Sequence, residues 1–274
     1  MSEVLDYATA GPLTDLCGID ADVLRSVPVE PVDICRLARG LVIQPQDARA
    51  LDLSAERLGE NQIRPANRLI EALVRLETTP LDVPRGPSRR VVGTCRHFAV
   101  ISCALLRYRG ITSRVRCGFA TYFQLGQGLD HWITEYWKDS ENRWVRIDSE
   151  ILGQSILEHP EDLRAGEFLN GGEAWAAFRD GRLDAATFGV DGTENWGPAE
   201  IRGNTIKDLA ALNKVETLPW DEWGRMDASY KGETGPEYDD LLDTIARICI
   251  QDDTAALAEL YARDELRVPT ELLR

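Results

Sequence analysis

Hydrophobic and polar positions change period several times along this chain, and those changes predict its elements. Over residues 1–60, prolines at positions 12, 28, 31 and 45 break up any long pattern. The stretch reads as helical and irregular, with 47–58 as one short helix. Ile70, Leu73 and Leu76 then recur at three-residue spacing beside Ala66 and Leu69, which predicts a helix within 61–76. Residues 78–90 carry three prolines and a glycine and predict a loop. From Cys95, Phe98, Ile101 and Leu105, with Ala99, Ser102 and Leu106 one step on, form a wide apolar face. Thr94 supplies a capping hydroxyl, Arg107 and Arg109 suit the last turn, and Gly110 can end it. The expectation is a core helix whose N-terminus opens on a cleft.

The period then falls to two. Val115, Cys117 and Phe119 alternate with Arg114 and Arg116, a strand over 113–120. Residues 126–130 read as a loop, and 131–137 and 143–148 as two more strands joined by the polar 138–141. With Trp137 paired to Asn142, the ladder sets Glu135 opposite Trp144, Ile133 opposite Arg146 and His131 opposite Asp148, on one face. A one-residue slip would separate the last two. Farther on, 172–178 is helix-like, and 191–204 reads as a loop for its three glycines and Pro198. Residues 218–226 hold Trp220 and Trp223 in a compact cluster, a packed plug or a cap over a cleft. Residues 238–262 form one long helix or two short ones. No repeat, low-complexity segment or clean linker interrupts the chain. The elements give an α+β fold: an N-terminal helical or irregular addition at 1–60, a core at 61–152, and a mainly helical extension at 153–274 packed on it.

Composition narrows the field. Of 274 residues, 43% are hydrophobic and 28% charged, as in soluble globular proteins. No apolar run nears the ~20 residues of a membrane span. The opening MSEVLDYATAG has neither the basic nor the apolar segment of a secretory signal, so a cytoplasmic location is expected. A net charge of -15 argues against nucleic acid and anionic membrane as partners, and mildly favours neutral or cationic substrates. The six cysteines include no C-x-x-C, and the C-x-H of Cys95 and His97 lacks a second pair at zinc-site spacing, so no metal is expected. Neither a glycine-rich phosphate loop nor a calcium loop is recognisable, and no cofactor is implied. Cys17 and Cys35 sit among apolar neighbours and are expected inside.

One constellation carries chemistry. A helix N-terminus and a nearby imidazolium both favour a thiolate. Cys95 has the first by position and would gain the second from His131, while Asp148 would orient the ring and stabilise its charge. Backbone N–H groups at the helix start, that of Cys95 included, are candidates for an oxyanion site. Together the parts suit acyl transfer through a thioester.

The linked motifs GTC at a helix start, LLRYRGITSRVRCGF, DHWITEYW and RWVRIDSE resemble the transglutaminase-like superfamily. Cys95 matches that family's nucleophile, His131 its base and Asp148 its third member. Gly110, Ile111, Arg114 and Val115 match the passage between. The resemblance covers roughly residues 90–152 and implies a papain-like core, with the cysteine helix packed on an antiparallel sheet. Relatives include amide cross-linkers, peptidases, deamidases, amide-forming enzymes and inactive members, so the implied substrate is a peptide or a small amide or amine. Two places depart from the family pattern: Arg96 and His97 follow the cysteine, and Trp132 and Ile133 follow the histidine.

Around the triad, Arg96, Trp132 and Gln62 are the substrate-binding candidates, each with a plainer reading. Arg96 lines the cleft and binds a carboxylate, or it faces solvent. Trp132 clamps substrate or, like Trp144, packs. Gln62 is a second oxyanion donor or a solvated residue at a helix start. His97, roughly 200° around the helix from Cys95, points away from the cleft, bonded or exposed, and His159 before Pro160 belongs to the surface. Two functions follow: a cysteine enzyme that attacks an amide or ester carbonyl, its thioester resolved by water or an amine, or a non-catalytic module that keeps the fold to bind a peptide or protein.

Overall fold

A computed structural model describes residues 5–273; the first four residues of the N-terminal stretch lie outside the described residues. The described residues cluster into two compact units, one of residues 7–115 and 133–163, the other of 5–6, 116–132 and 164–273.

The first unit begins with helices α1 (Ala21–Leu24) and α2 (Pro31–Leu41), a two-residue strand β1 (Val42–Ile43), then α3 (Pro45–Ala50) and α4 (Ala55–Leu58). Where one helix was expected over 47–58, there are two. Asp52 takes a left-handed φ of 53°, and Ser54 starts α4 by accepting the Arg57 N–H. Helix α5 (Ala66–Leu76) follows the predicted period, entering after Pro65. A short strand β2 (Val91–Val92) pairs parallel with β1. It leads into α6 (Cys95–Tyr108), buried from Cys95 to Arg107. Arg109 ends α6, and Gly110 turns the chain at φ 76°. Ile34, Leu69, Ile70, Phe98, Ile101 and Val145 belong to the core that α2, α5 and α6 share with the sheet.

The sheet is where prediction and structure differ most usefully. Strand β3 (Ser113–Ala120) is as expected. Strand β4 (Gly128–Lys138) starts inside the expected loop, and β5 (Arg143–Ile147) follows. Their antiparallel register pairs Lys138 with Arg143, Trp137 with Trp144, Glu135 with Arg146 and Thr134 with Ile147. Each pair is offset by two residues from the predicted ladder, so the expected pairing of His131 with Asp148 is corrected. The turn sits one residue later than expected, because Asn142 adopts φ 49°, a conformation asparagine tolerates. A slip of two keeps every side chain on its predicted face. Carried on past Thr134, the register sets Asp148 across from Ile133. Both faces of β3 are covered: Arg114 is buried against Glu135 at 2.7 Å.

The second unit adds β6 (Phe168–Asn170), antiparallel to β3, and helix α7 (Gly171–Arg179). A strand β7 (Phe188–Gly189) lies parallel to β4, giving the order β5-β4-β3-β6 with β7 on β4. Helix α8 (Pro198–Leu212) occupies half of the expected loop 191–204, which is corrected to end at Gly197 (φ 96°). Helices α9 (Met226–Tyr230), α10 (Pro236–Gln251) and α11 (Thr254–Tyr261) follow; the left-handed Asp252 splits the last pair, the two-helix alternative.

α8 buries polar groups that find specific partners. Asp208 accepts two bonds from Arg116, at 2.8 and 2.7 Å, and one from the Cys117 N–H. Asn204 donates to Gly118 O and to Asp130 Oδ1. Burial pulls the Lys207 ammonium down, but Glu200 and Asp130 outweigh it and hold it above its ordinary value. Trp223 is buried and donates to Leu266 O, whereas Trp220 is exposed, so only one of the pair plugs a core. Among the described residues no helix is long and apolar enough to cross a membrane.

Candidate active site

Cys95 is the first residue of α6 and is 8% exposed. Its approach is fixed from both sides. Arg57 holds Glu60 and the carbonyls of Ser88 and Arg90, and Glu60 accepts the Val92 N–H. Gly93 then donates to Ile43 O. A Cβ at Gly93 would stand 2.6 Å from the Cβ of His97, so only glycine passes there.

His97 explains that crowding. Its Nδ1 accepts the Thr94 N–H at 3.0 Å, which assigns the proton to Nε2 and lets it donate to Ile63 O at 3.1 Å. Burial, with the nearby Arg96 charge, pulls its pKa from 6.5 to about 3. His97 is thus a neutral cap of the helix start, bonded and turned to structural work.

His131 lies on β4, 3% exposed, with its ring edge-on to Phe123 at 5.1 Å and to Tyr122 at 6.2 Å. Asp148 follows the last residue of β5 and is buried; its N–H donates to Pro160 O. Its Oδ1 accepts the Glu150 N–H at 2.9 Å. Ser149 meets Ser102 of α6 at 2.7 Å, and the Cys35 thiol bonds both hydroxyls while burial pushes it up to about 12. The turn 148–150 is therefore tied to the helix that carries Cys95.

Cys95 Sγ and a carboxylate oxygen of Glu150 lie within 4.8 Å of each other. Glu150 was absent from the sequence-derived site, although it stands in the RIDSE motif. The two-residue register offset brings position 150, instead of 148, level with 131. Glu150 is half-buried, and Gln44, just before α3, donates to its Oε1 at 2.6 Å.

The remaining candidates fall out as follows. Arg96 is fully buried, which removes its solvent-facing reading. Trp132 is 1% exposed. Gln62 is exposed, in a turn before α5, and donates to Asn61. His159 is at the surface near Glu158 and Glu161. Cys35 is buried as expected; Cys17 is exposed, contrary to expectation, because its segment is a surface turn bonded through Asp15.

Residues 78–149 match the model of the transglutaminase-like superfamily. A solved chain from Cytophaga hutchinsonii, named as a candidate cysteine protease, is similar at 17% identity, with a TM-score of 0.19, over 54% of this chain and 48% of that one. This chain thus spans about half of that protein's length. No curated protein matches the sequence.

Proposed function

We propose, from a segment 78–149 that belongs to the transglutaminase-like superfamily, that this chain is an acyl-transferring cysteine enzyme. The observation that carries the reading is a cysteine, Cys95, at the N-terminus of a buried helix inside the matched segment, with His131 on a strand of that same segment.

In this reading His131 takes the Cys95 proton, and the thiolate–imidazolium pair is favoured by the helix N-terminus. The sulfur attacks an amide or ester carbonyl, and the N–H groups that open α6 face the oxygen as it gains charge. The carbonyl re-forms, the bond to the leaving group breaks, and His131 protonates that group, leaving a thioester on Cys95. Asp148 orients the imidazole, a role supported by its burial and by the bonds that fix its turn. Water or an amine then releases the acyl group. Peptides and small amides are the substrate class.

The test is intact-protein and peptide mass spectrometry after mixing with an activated ester such as p-nitrophenyl acetate. The expected result is one acetyl increment on Cys95, absent in Cys95→Ala. Increments spread over other residues, or none on Cys95, would overturn the proposal.

A further inference from the structure

We infer that the loop between β3 and β4 selects the acyl donor of this site, with Phe123 and Leu125 binding an uncharged, apolar acyl chain. The inference rests on the reading of Cys95 as the acylated nucleophile and His131 as its base.

The loop spans residues 121–127, and the run 121–129 carries no acidic or basic side chain. In a chain with 28% charged residues and a net charge of -15, that run is an uncharged island in the sequence. Within it Phe123 meets the His131 ring edge-on at 5.1 Å, and Tyr122 lies against Phe123 with ring centroids 4.8 Å apart. Leu125 is fully open to solvent, the most exposed large hydrophobic side chain among the described residues. A single exposed leucine is ordinary. This one stands two residues from a ring packed on the proposed base. The loop thus presents apolar groups both at the base and at its own exposed tip.

The loop is also held. The Thr121 N–H donates to Glu167 O at 3.0 Å, and its hydroxyl to Gly166 O at 2.8 Å. Gln124 donates to Asp191 Oδ1 at 3.1 Å. The Gln127 N–H closes a turn onto Gln124 O, with Gly126 at φ 77°. Side chains fixed in this way bind without the ordering cost of a mobile segment.

The reach of a donor decides what it can touch. A base that takes the thiol proton comes within about 3 Å of the sulfur, so an acyl group on that sulfur begins beside the imidazole. An acetyl group ends there. A hexanoyl chain, at about 3.5 Å for every three bonds, extends past the 5.1 Å between the imidazole and Phe123. Each methylene fully buried against such a surface is worth about a factor of four. A carboxylate at the far end of the chain would lose hydration there, and the loop supplies no cation to offset the loss.

The experiment compares p-nitrophenyl acetate, p-nitrophenyl hexanoate and mono-p-nitrophenyl adipate, the last matching hexanoate in length but ending in a carboxylate. It reads kcat/KM for each ester, corrected for the Cys95→Ala background and divided by the rate of the same ester with N-acetylcysteine. Ratios taken on one protein cancel any loss of folded enzyme. In the wild type the hexanoyl-to-acetyl ratio should be about tenfold or more, with adipoyl well below hexanoyl. Phe123→Ala and Leu125→Ser should each lower the hexanoyl-to-acetyl ratio about fivefold. Leu125→Met should restore it, and Ile250→Ser, at an exposed site on α10, should leave it unchanged. Equal use of hexanoyl and acetyl donors, an adipoyl rate at or above hexanoyl, or a ratio unchanged within twofold in either Phe123→Ala or Leu125→Ser overturns the inference. Each of those results, obtained with acyl-Cys95 present, leaves the thioester reading standing. Absence of acyl-Cys95 with all three esters refutes both.

Discussion

Gln44 and Glu150, 106 positions apart in sequence, meet through a 2.6 Å hydrogen bond from the Gln44 amide to Glu150 Oε1. Gln44 lies just before the proline that starts α3, in the part of the chain ahead of the superfamily match. The N-terminal addition therefore reaches the group beside the nucleophile. Gln44→Ala should loosen the carboxylate beside the nucleophile, and the pH profile of Cys95 alkylation by iodoacetamide should shift relative to the wild type. A Gln44→Ala protein with the wild-type profile would sever this link.

His97 sets a pH dependence on stability. Its folded pKa of about 3 lies below the 6.5 of an unperturbed ring. The folded state therefore disfavours the proton that the unfolded state accepts. The stabilisation is complete above pH 6.5 and is lost as pH falls from 6.5 toward 3. Urea unfolding of the wild type should weaken across that window. His97→Gln should be less stable at pH 7 by about 1–3 kcal/mol and show a shallower slope. Equal slopes for the two proteins would remove His97 from this role.

The Arg116–Asp208 pair fixes α8 to β3 with both groups buried. Asp208→Ala leaves an uncompensated guanidinium and should cost about 3–5 kcal/mol in urea unfolding. A loss below 1 kcal/mol would mean that the pair is replaceable by solvent.

Thiol exposure predicts a labelling order. Cys17 is exposed and should alkylate in the native protein at an ordinary thiol rate. Cys35, pushed up to about 12, with Cys103, Cys117 and Cys249, all buried, should label only on unfolding. Peptide mapping after a timed pulse reads this directly, and native labelling of Cys35 ahead of Cys17 would contradict it.

Much of this arrangement was legible in the chain's periodicity. The α6 apolar face and the alternation of β3 were readable even though both elements are buried all round, because the second face of β3 carries Arg114 and Arg116, paired with Glu135 and Asp208. The register was misjudged because the polarity of 138–141 marks a turn without saying where it closes; that depends on the φ of Asn142. Helix α8 was hidden for a different reason. Its buried face carries Asn204 and Asp208, bonded to residues distant in sequence, and Lys207, which donates to Pro219 O, so no apolar stripe appears. Gly197 and Pro198 did mark its start. Glu150 escaped notice because its place depends on that register and on Gln44, and neither is a local property.

Asp148→Asn tests the orienting role separately. Turnover should fall by roughly 10²–10⁴, as when a triad carboxylate loses its charge, and unchanged kcat would exclude Asp148 from the mechanism.

The rate of Cys95 alkylation by iodoacetamide against pH, in the wild type and in His131→Ala, bears most directly on whether these two side chains act as one unit. The wild type should label rapidly well below the ordinary thiol range, and His131→Ala should shift the profile up toward about 8.5. Superimposable profiles for the two proteins would contradict the pairing of Cys95 with His131.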